Sequence, residues 1–206
     1  MKKSNLNTEL EVKFALTGLG GVENRLLANG GRLVSGRVHE INLRFDTPSF
    51  DLTQNRRVLR LRRDLRTYLT YKGPGEIVDG VQRRTEIEID VDDFDKARLF
   101  LEALGYQVNM IYEKFRTTYS YRDVLVCLDE MPYGTFIELE GGDAPSIRQA
   151  AEGLTLPWEA AIQESYAAIF ERLRSRLGFT FRDLTFDNFI GIENPLVNLD
   201  IPIIDL

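Results

Sequence analysis

Leu10, Val12 and Phe14 alternate with Glu9, Glu11 and Lys13 near the start of the chain. A period of two places the apolar set on one face of a strand and the charged set on the other. The alternation recurs in Leu59 and Leu61 with Arg60 and Arg62, and in Leu69 and Tyr71 with Thr70 and Lys72. Thr85, Ile87 and Ile89 interleave with Arg84, Glu86, Glu88 and Asp90. Further on, Phe115 and Thr117 interleave with Lys114 and Arg116, and Ile137 and Leu139 with Glu138 and Glu140. Together with turn signals at Gly30-Gly31, Gly73-Pro74-Gly75, Asp79-Gly80 and Pro132-Tyr133-Gly134, this predicts strands near 7–16, 32–46, 56–64, 66–73, 81–90, 106–121, 123–131 and 134–141. Helices are predicted over 19–29, 92–104, 145–153 and 157–177. The second is opened by Asp92-Asp93 and closed by Gly105; the last has Pro157 near its start and Gly178 after it. Eight strands joined by short connections, with helices packed outside, predict an α+β fold whose antiparallel sheet forms a closed or nearly closed β-barrel. Helices 92–104 and 157–177 are expected to cover its apolar face.

Composition narrows the chemistry. The chain has 206 residues, enough for one well-filled core. A single cysteine, Cys127, excludes a disulfide framework and Cys-based zinc sites; a single histidine, His39, excludes multi-histidine metal sites and argues against a Ser-His-Asp triad. No apolar run approaches the length of a membrane span, and the opening residues lack the apolar core of a signal peptide. A cytoplasmic protein without a membrane role is expected. The formal net charge of −6 argues against general nucleic-acid binding.

That average conceals sorting. The stretch from Arg56 to Arg84 is strongly basic, while the second half gathers acids. On the polar strand faces, Glu9, Glu11, Glu86, Glu88, Asp129, Glu138 and Glu140 stand against Lys13, Arg60, Arg62, Lys72, Arg84, Lys114 and Arg116. On an open sheet these would be cross-strand ion pairs facing water. In a closed barrel they would line the lumen, where charges need partners or a ligand. Clustered carboxylates suit Mg²⁺ or Mn²⁺, and clustered Arg and Lys suit phosphate oxygens.

These positions also form an ordered series of motifs. Glu9-Leu10-Glu11-Val12-Lys13 fits E-x-E-x-K, Phe45-Asp46-Thr47-Pro48 fits F-D-T-P, and Leu59-Arg60-Leu61-Arg62 fits L-R-L-R. Thr70-Tyr71-Lys72-Gly73-Pro74, Arg84-Thr85-Glu86-Ile87-Glu88, Lys114-Phe115-Arg116, Leu128-Asp129 and Glu138-Leu139-Glu140 continue it, followed by Ser165-Tyr166. Over about residues 7–172 the chain resembles the CYTH domain, or triphosphate tunnel metalloenzyme, family of class IV adenylyl cyclases and thiamine, inorganic and RNA triphosphatases. It departs from the family at Arg44, where a Tyr is common. It also shows no clear counterpart to the helix lysine that contacts triphosphate in thiamine triphosphatases. Arg172, Arg174 and Arg176 have the spacing of a solvated helix face.

The resemblance implies an eight-stranded tunnel with its charged face inward, formed by residues 1–178. It implies metal ligation by Glu9, Glu11, Glu138 and Glu140, with Asp129 and Glu88 as further ligands, and a triphosphate grip from Lys13, Arg60, Arg62, Lys72, Arg84, Lys114 and Arg116. Glu9, Glu11 and Lys13 are then the catalytic set, with Mg²⁺ or Mn²⁺ as cofactor. The expected activity is metal-dependent hydrolysis of tripolyphosphate, thiamine triphosphate or ATP to release orthophosphate. The alternatives are an adenylyl cyclase making cyclic AMP and pyrophosphate, and a non-catalytic polyphosphate-binding module. Residues 179–206 lie outside the resemblance; their Phe179, Phe181, Phe186, Phe189 and terminal isoleucines predict a strap docked across the barrel or onto a second subunit, a homodimer being the more economical choice. His39, Cys127 and Trp158 are expected to be structural.

Overall fold

The computed structural model describes residues 8–206; residue 7, at the start of the first predicted strand, lies outside the described residues. Eight strands make the barrel: β1 (Thr8–Leu16), β2 (Arg32–Asp46), β3 (Val58–Arg63), β4 (Thr67–Lys72), β6 (Val81–Val91), β7 (Gln107–Tyr121), β8 (Val124–Met131) and β9 (Gly134–Gly141). Two short strands that the sequence did not announce, β5 (Glu76–Val78) and β10 (Ile203–Ile204), attach to β6 and β1. The barrel runs β1-β9-β8-β7-β2-β3-β4-β6 and is shut by β6 pairing back onto β1. Every pairing within that ring is antiparallel. The closed antiparallel barrel with helices outside agrees with the sequence expectation.

Closure decides which face is which. The apolar positions of the alternating strands point outward, so much of the core lies between the barrel and its helices. One layer packs Val12, Phe14, Leu128, Ile137 and Leu139 under α1 (Gly20–Ala28) and α4 (Ala144–Gly153). Another packs Leu43, Phe45 and Leu61 under α3 (Phe94–Ala103). Each fully buried Phe or Leu contributes roughly 1.5–3 kcal/mol relative to an exposed one. Local chemistry agrees with these helices: Asp93 and Asp143 accept backbone N–H bonds from Lys96 and Ser146 at their N-termini. A four-residue turn of helix, α2 (Asp51–Gln54), follows β2, its Leu52 and Thr53 N–H groups donating to the Asp46 carboxylate. Among the described residues no helix is long and apolar enough to cross a membrane.

The single helix expected over 157–177 is not formed. A 3₁₀ turn covers Trp158–Ala160, the chain then extends so that Ile162 N–H donates to Lys13 O at 2.8 Å, and α5 begins at Tyr166 and runs to Leu177. Ser165 explains the restart, since its hydroxyl accepts from Ala168 N–H, and Gly178 ends the helix in the left-handed region at φ 72°. Nor does α5 cover the outer apolar face. Its Ile169, Phe170 and Leu173 pack with Ala15, Met110, Met131 and Phe136, which share the inward parity of Lys13, Lys114, Asp129 and Glu138. The helix therefore seals one end of the barrel.

Residues 179–206 join that seal. Phe179, Phe181, Leu184, Phe189, Leu196 and Ile201 belong to the same cluster. Leu184 is stitched to β7, accepting from Glu113 N–H and donating to Ile111 O. Further along, β10 runs parallel to the end of β1, and Thr17 Oγ1 donates to Asp205 at 2.7 Å. The Leu206 carbonyl fills the space a side chain at Gly21 would need.

Candidate active site

The inward faces enclose a cavity of about 1080 Å³. Glu9, Glu11, Lys13, Arg60, Arg62, Lys72, Arg84, Glu88, Lys114, Arg116, Glu138 and Glu140 all line it. Asp129 is fully buried just behind. The metal and phosphate residues that the resemblance implied are thus brought to one place.

Register explains how. Glu9 lies opposite Arg84 across the β1–β6 seam, and Lys13 lies opposite Glu138 across β1–β9. On the other side of the barrel Arg60 faces Thr70, which faces Glu88. The cations and carboxylates are interleaved. Lys72 Nζ and Arg84 Nε each lie 2.7 Å from Glu9, and Arg84 also reaches Glu11 at 3.2 Å. Lys13, only 2% exposed, sits between Glu11 at 3.5 Å and Glu138 at 3.7 Å. Arg116 grips Asp129 with two nitrogens at 2.7 Å and touches Glu138 at 2.5 Å. Asp129 also accepts from Lys114 and from the Tyr166 hydroxyl, the latter at 2.8 Å. Arg60 and Arg62 reach Glu88 at 3.5 and 3.4 Å.

Three of these carboxylates also face one another, although Glu9 and Glu11 have cation partners. Oxygens of Glu9, Glu11 and Glu140 lie within 4.8 Å of one another, a spacing that can hold a metal ion. Burial works against ionisation of Glu9, but Lys72 and Arg84 outweigh it and pull the carboxyl down to about 2. Glu11 is likewise buried yet drawn down to about 2, chiefly by Lys13. Glu140 goes the other way. Burial and the carboxylates of Glu138, Glu9 and Glu11 push it up to about 7 against the pull of Arg116, which stays 3.8 Å away. Three carboxylates crowded within reach of one point, two of them held ionised, are a donor set that fits a hard divalent cation. Glu138, Asp129 and Glu88 are instead turned to cations or, for Glu88, also to Thr70.

Several lumen residues escaped the sequence reading. Glu40 is buried between Lys114 at 3.6 Å and Arg62 at 3.9 Å; burial works against its ionisation, but Lys114, Arg116 and Arg62 hold its carboxyl low. Tyr112 accepts from Arg60 at 3.2 Å, and Arg44 lines the cavity. The signal was present in β2, where Glu40, Asn42 and Arg44 alternate with Ile41, Leu43 and Phe45. Arg174 corrects the expected solvated face: it lines the cavity, whereas Arg172 pairs with Glu164 and Arg176 is exposed. Cys127 is buried with its thiol pKa raised, foremost by burial, so it is not a nucleophile. Trp158 packs edge-on against Phe14, and His39 lies beside Phe115 on the outer surface.

A closed antiparallel barrel with its ionisable groups turned into a tunnel and a helix across one end defines a small structural class. Within it, the chain belongs to the CYTH domain family, which matches residues 7–156. A Methanocaldococcus jannaschii protein named "Putative adenylate cyclase" is 28% identical over 135 residues, covering 64% of this chain and 75% of its own. Among solved structures, one from Vibrio parahaemolyticus, also described as a "putative adenylate cyclase", superposes with a TM-score of 0.70 at 21% identity, covering 80% of this chain and 98% of its own. The PH1819 protein of Pyrococcus horikoshii gives 0.63 at 25% identity, over 80% and 98%. A Hippeastrum protein, described as a "putative adenylyl cyclase" with a dominant triphosphatase activity, gives 0.61 at 20% identity, over 80% and 95%.

Proposed function

We propose that this protein is a divalent-metal-dependent triphosphatase that releases orthophosphate from inorganic or organic triphosphates. The observation that carries the reading is the adjacency of Lys72, Arg84 and Lys13 to the carboxylates of Glu9, Glu11 and Glu140 inside one tunnel. Phosphoryl transfer asks for little covalent help; it asks for alignment and for neutralisation of charge on the non-bridging oxygens. Lys13, Arg60, Arg62, Lys72, Arg84, Lys114 and Arg116 supply the second, with arginine forks matching phosphate oxygens in pairs. Asp129, Glu138 and Glu88 orient those bases. Glu9, Glu11 and Glu140 are the residues that would hold Mg²⁺ or Mn²⁺, which supplies Lewis acidity toward the phosphoryl oxygens and the attacking water. Water would then attack the terminal phosphorus: a P–O bond forms to the water oxygen, the anhydride P–O bond breaks, the remaining diphosphate leaves with the bridging oxygen, and orthophosphate is released once the water's proton passes to solvent.

The relative named for adenylate cyclase supports a second reading, in which the ribose 3′-hydroxyl of ATP attacks the α-phosphate. The Hippeastrum protein, which shares the fold, supports the first. Both use the same grip and differ in which phosphorus is aligned with the nucleophile. The test is to incubate the protein with Mn²⁺ or Mg²⁺ and, separately, tripolyphosphate, ATP and thiamine triphosphate, and to resolve the products. Orthophosphate, released fastest from tripolyphosphate, is expected. Cyclic AMP and pyrophosphate from ATP, with little orthophosphate from tripolyphosphate, would promote the cyclase. Binding without turnover of any of them would leave a polyphosphate-binding module.

A further inference from the structure

Glu40 is held differently from Glu9 and Asp129. Each of those has a cation 2.7 Å away, Lys72 or Arg84 for Glu9 and Arg116 for Asp129. Glu40, only 3% exposed, has Lys114 at 3.6 Å and Arg62 at 3.9 Å, both beyond hydrogen-bond reach. Next along the inward face of β2 is Asn42, fully buried and lying opposite Arg62 on β3 and Tyr112 on β7. Among the described residues neither the oxygen nor the nitrogen of its amide has a hydrogen-bond partner, and the same holds for Glu40 Oε2, Arg62 Nε and Arg60 Nε.

Five unpaired polar atoms on neighbouring inward positions of two paired strands are more than a dry wall tolerates, because buried polar atoms are nearly always bonded. A ligand that satisfies them must both donate and accept. A cation would stand against Arg60 and Arg62, and an anion against the Glu40 carboxylate. Water meets both demands, donating to Glu40 Oε2 and the Asn42 oxygen and accepting from the Asn42 nitrogen and Arg62 Nε. It also accounts for the long Glu40 contacts, since charged groups beyond direct reach are commonly bridged.

We propose that Asn42 is a positioning residue: with Glu40 it holds buried water on the β2–β3 wall of the barrel, and that water fixes the guanidinium groups of Arg62 and Arg60. The water site rests on burial and pairing alone; its consequence for substrate rests on the triphosphate reading. Asn42 has no exposed surface of its own, whereas Arg60 and Arg62 line the cavity, so the amide acts on an anion only through them. A guanidinium held at Nε keeps its two terminal nitrogens turned outward as a fork, the geometry that matches a pair of phosphate oxygens.

The experiment compares the full chain as wild type, Asn42→Leu and Asn42→Ser. Leucine keeps the bulk and removes both polar atoms, while serine keeps a hydroxyl and leaves room for one more water. A crystal structure of the wild type should show water within roughly 3.2 Å of the Asn42 amide and of Arg62 Nε. In Asn42→Leu that water should be gone and the Arg62 guanidinium displaced. Tripolyphosphate, titrated in chelator so that it binds without turnover, should bind about tenfold more weakly to Asn42→Leu and close to normally to Asn42→Ser. Rescue by the smaller serine separates positioning from packing, which serine would not restore. A dry Asn42 amide in the wild-type crystal overturns the proposal, whether or not the variants fold. So does an Asn42→Leu chain that melts higher than the wild type and binds tripolyphosphate equally well, the behaviour of an amide with no partner at all. A wild type that shows the water but binds no tripolyphosphate upholds the water site and overturns the triphosphate reading.

Discussion

Lys72 reaches Glu9 across the lumen, its Nζ lying 2.7 and 3.0 Å from the two carboxylate oxygens, although β6 stands between β4 and β1 in the sheet. The curvature of a closed barrel brings them together. In the proposed reading the pair also ties the phosphate grip to the metal site, because Glu9 contacts Lys72 and stands in the carboxylate cluster. Removing the lysine should therefore act in opposite directions on the two ligands. Lys72→Met is expected to tighten Mn²⁺ binding several-fold, by freeing Glu9 and deleting a nearby positive charge, while weakening tripolyphosphate. Calorimetric titration with each ligand alone checks this. Weaker Mn²⁺ binding would show that Glu9 is not a ligand.

Metal dependence follows from the three carboxylates. Mn²⁺ or Mg²⁺ should raise the Tm, and excess EDTA should abolish turnover. Glu11→Gln and Glu140→Gln should each lower kcat at least a hundredfold while leaving the circular dichroism spectrum intact, since neither side chain belongs to an apolar cluster. Full activity in chelator would sink the assignment.

The grip can be tested away from the metal. Arg60 touches Thr70 and Glu88, and Lys114 is buried against Asp129 and Glu40. Arg60→Ala and Lys114→Ala should each cost about 2–4 kcal/mol of tripolyphosphate binding, the scale of a lost charge-assisted contact in a dry site. Unchanged affinity would mean that the anion does not enter this far.

The barrel was legible because its strands are amphipathic in an unusual sense. Alternation such as that of Glu9, Glu11 and Lys13 with Leu10, Val12 and Phe14 fixes two faces, and the ordered motifs told which way they turn. Glu40 and Arg44 were not legible as lumen residues although β2 alternates as clearly, because the neutral Asn42 separates them and leaves no run of charges on that face. The break before α5 was harder to read. It depends on Ile162 giving its N–H to Lys13, a contact between distant parts of the chain that no local propensity encodes, with Ser165 alone marking the restart. The different surroundings of the acids were likewise invisible, since Glu138 and Glu140 are equivalent in the motif and are told apart by Arg116, which lies closer to Glu138, and by Lys13, which pairs with Glu138.

Glu140 sets a pH dependence whose sign can be worked out. Held at about 7 in the folded chain against an ordinary 4.5, it binds a proton more tightly folded than unfolded. Its contribution to stability is complete below 4.5 and disappears as pH rises through 7. In metal-free buffer, Glu140→Gln should match the wild-type Tm at pH 4.5 and exceed it by a few degrees at pH 8. A Tm difference that does not grow between those values would show that the carboxylates are not crowded.

Truncation at Gly178 tests the segment that completes the seal. Phe189, Leu196 and Ile201 are buried in the cluster that joins α5 to Ala15, Met131 and Phe136, and Leu184 hydrogen-bonds to β7. Deleting 179–206 would expose that apolar face and leave backbone groups of β7 without their partners, a loss well beyond the roughly 1–3 kcal/mol of one buried polar group. The truncated chain should unfold at a markedly lower temperature or aggregate. A single change offers a gentler probe. Gly21→Ala would place a methyl where the Leu206 carbonyl sits, forcing the end of the segment off α1 while leaving Phe189 and Leu196 in place. It should lower the Tm by a few degrees, and amide exchange should rise at Thr17, whose N–H donates to Ile204 O. If full-length and truncated chains melt together, the segment is not holding the barrel shut.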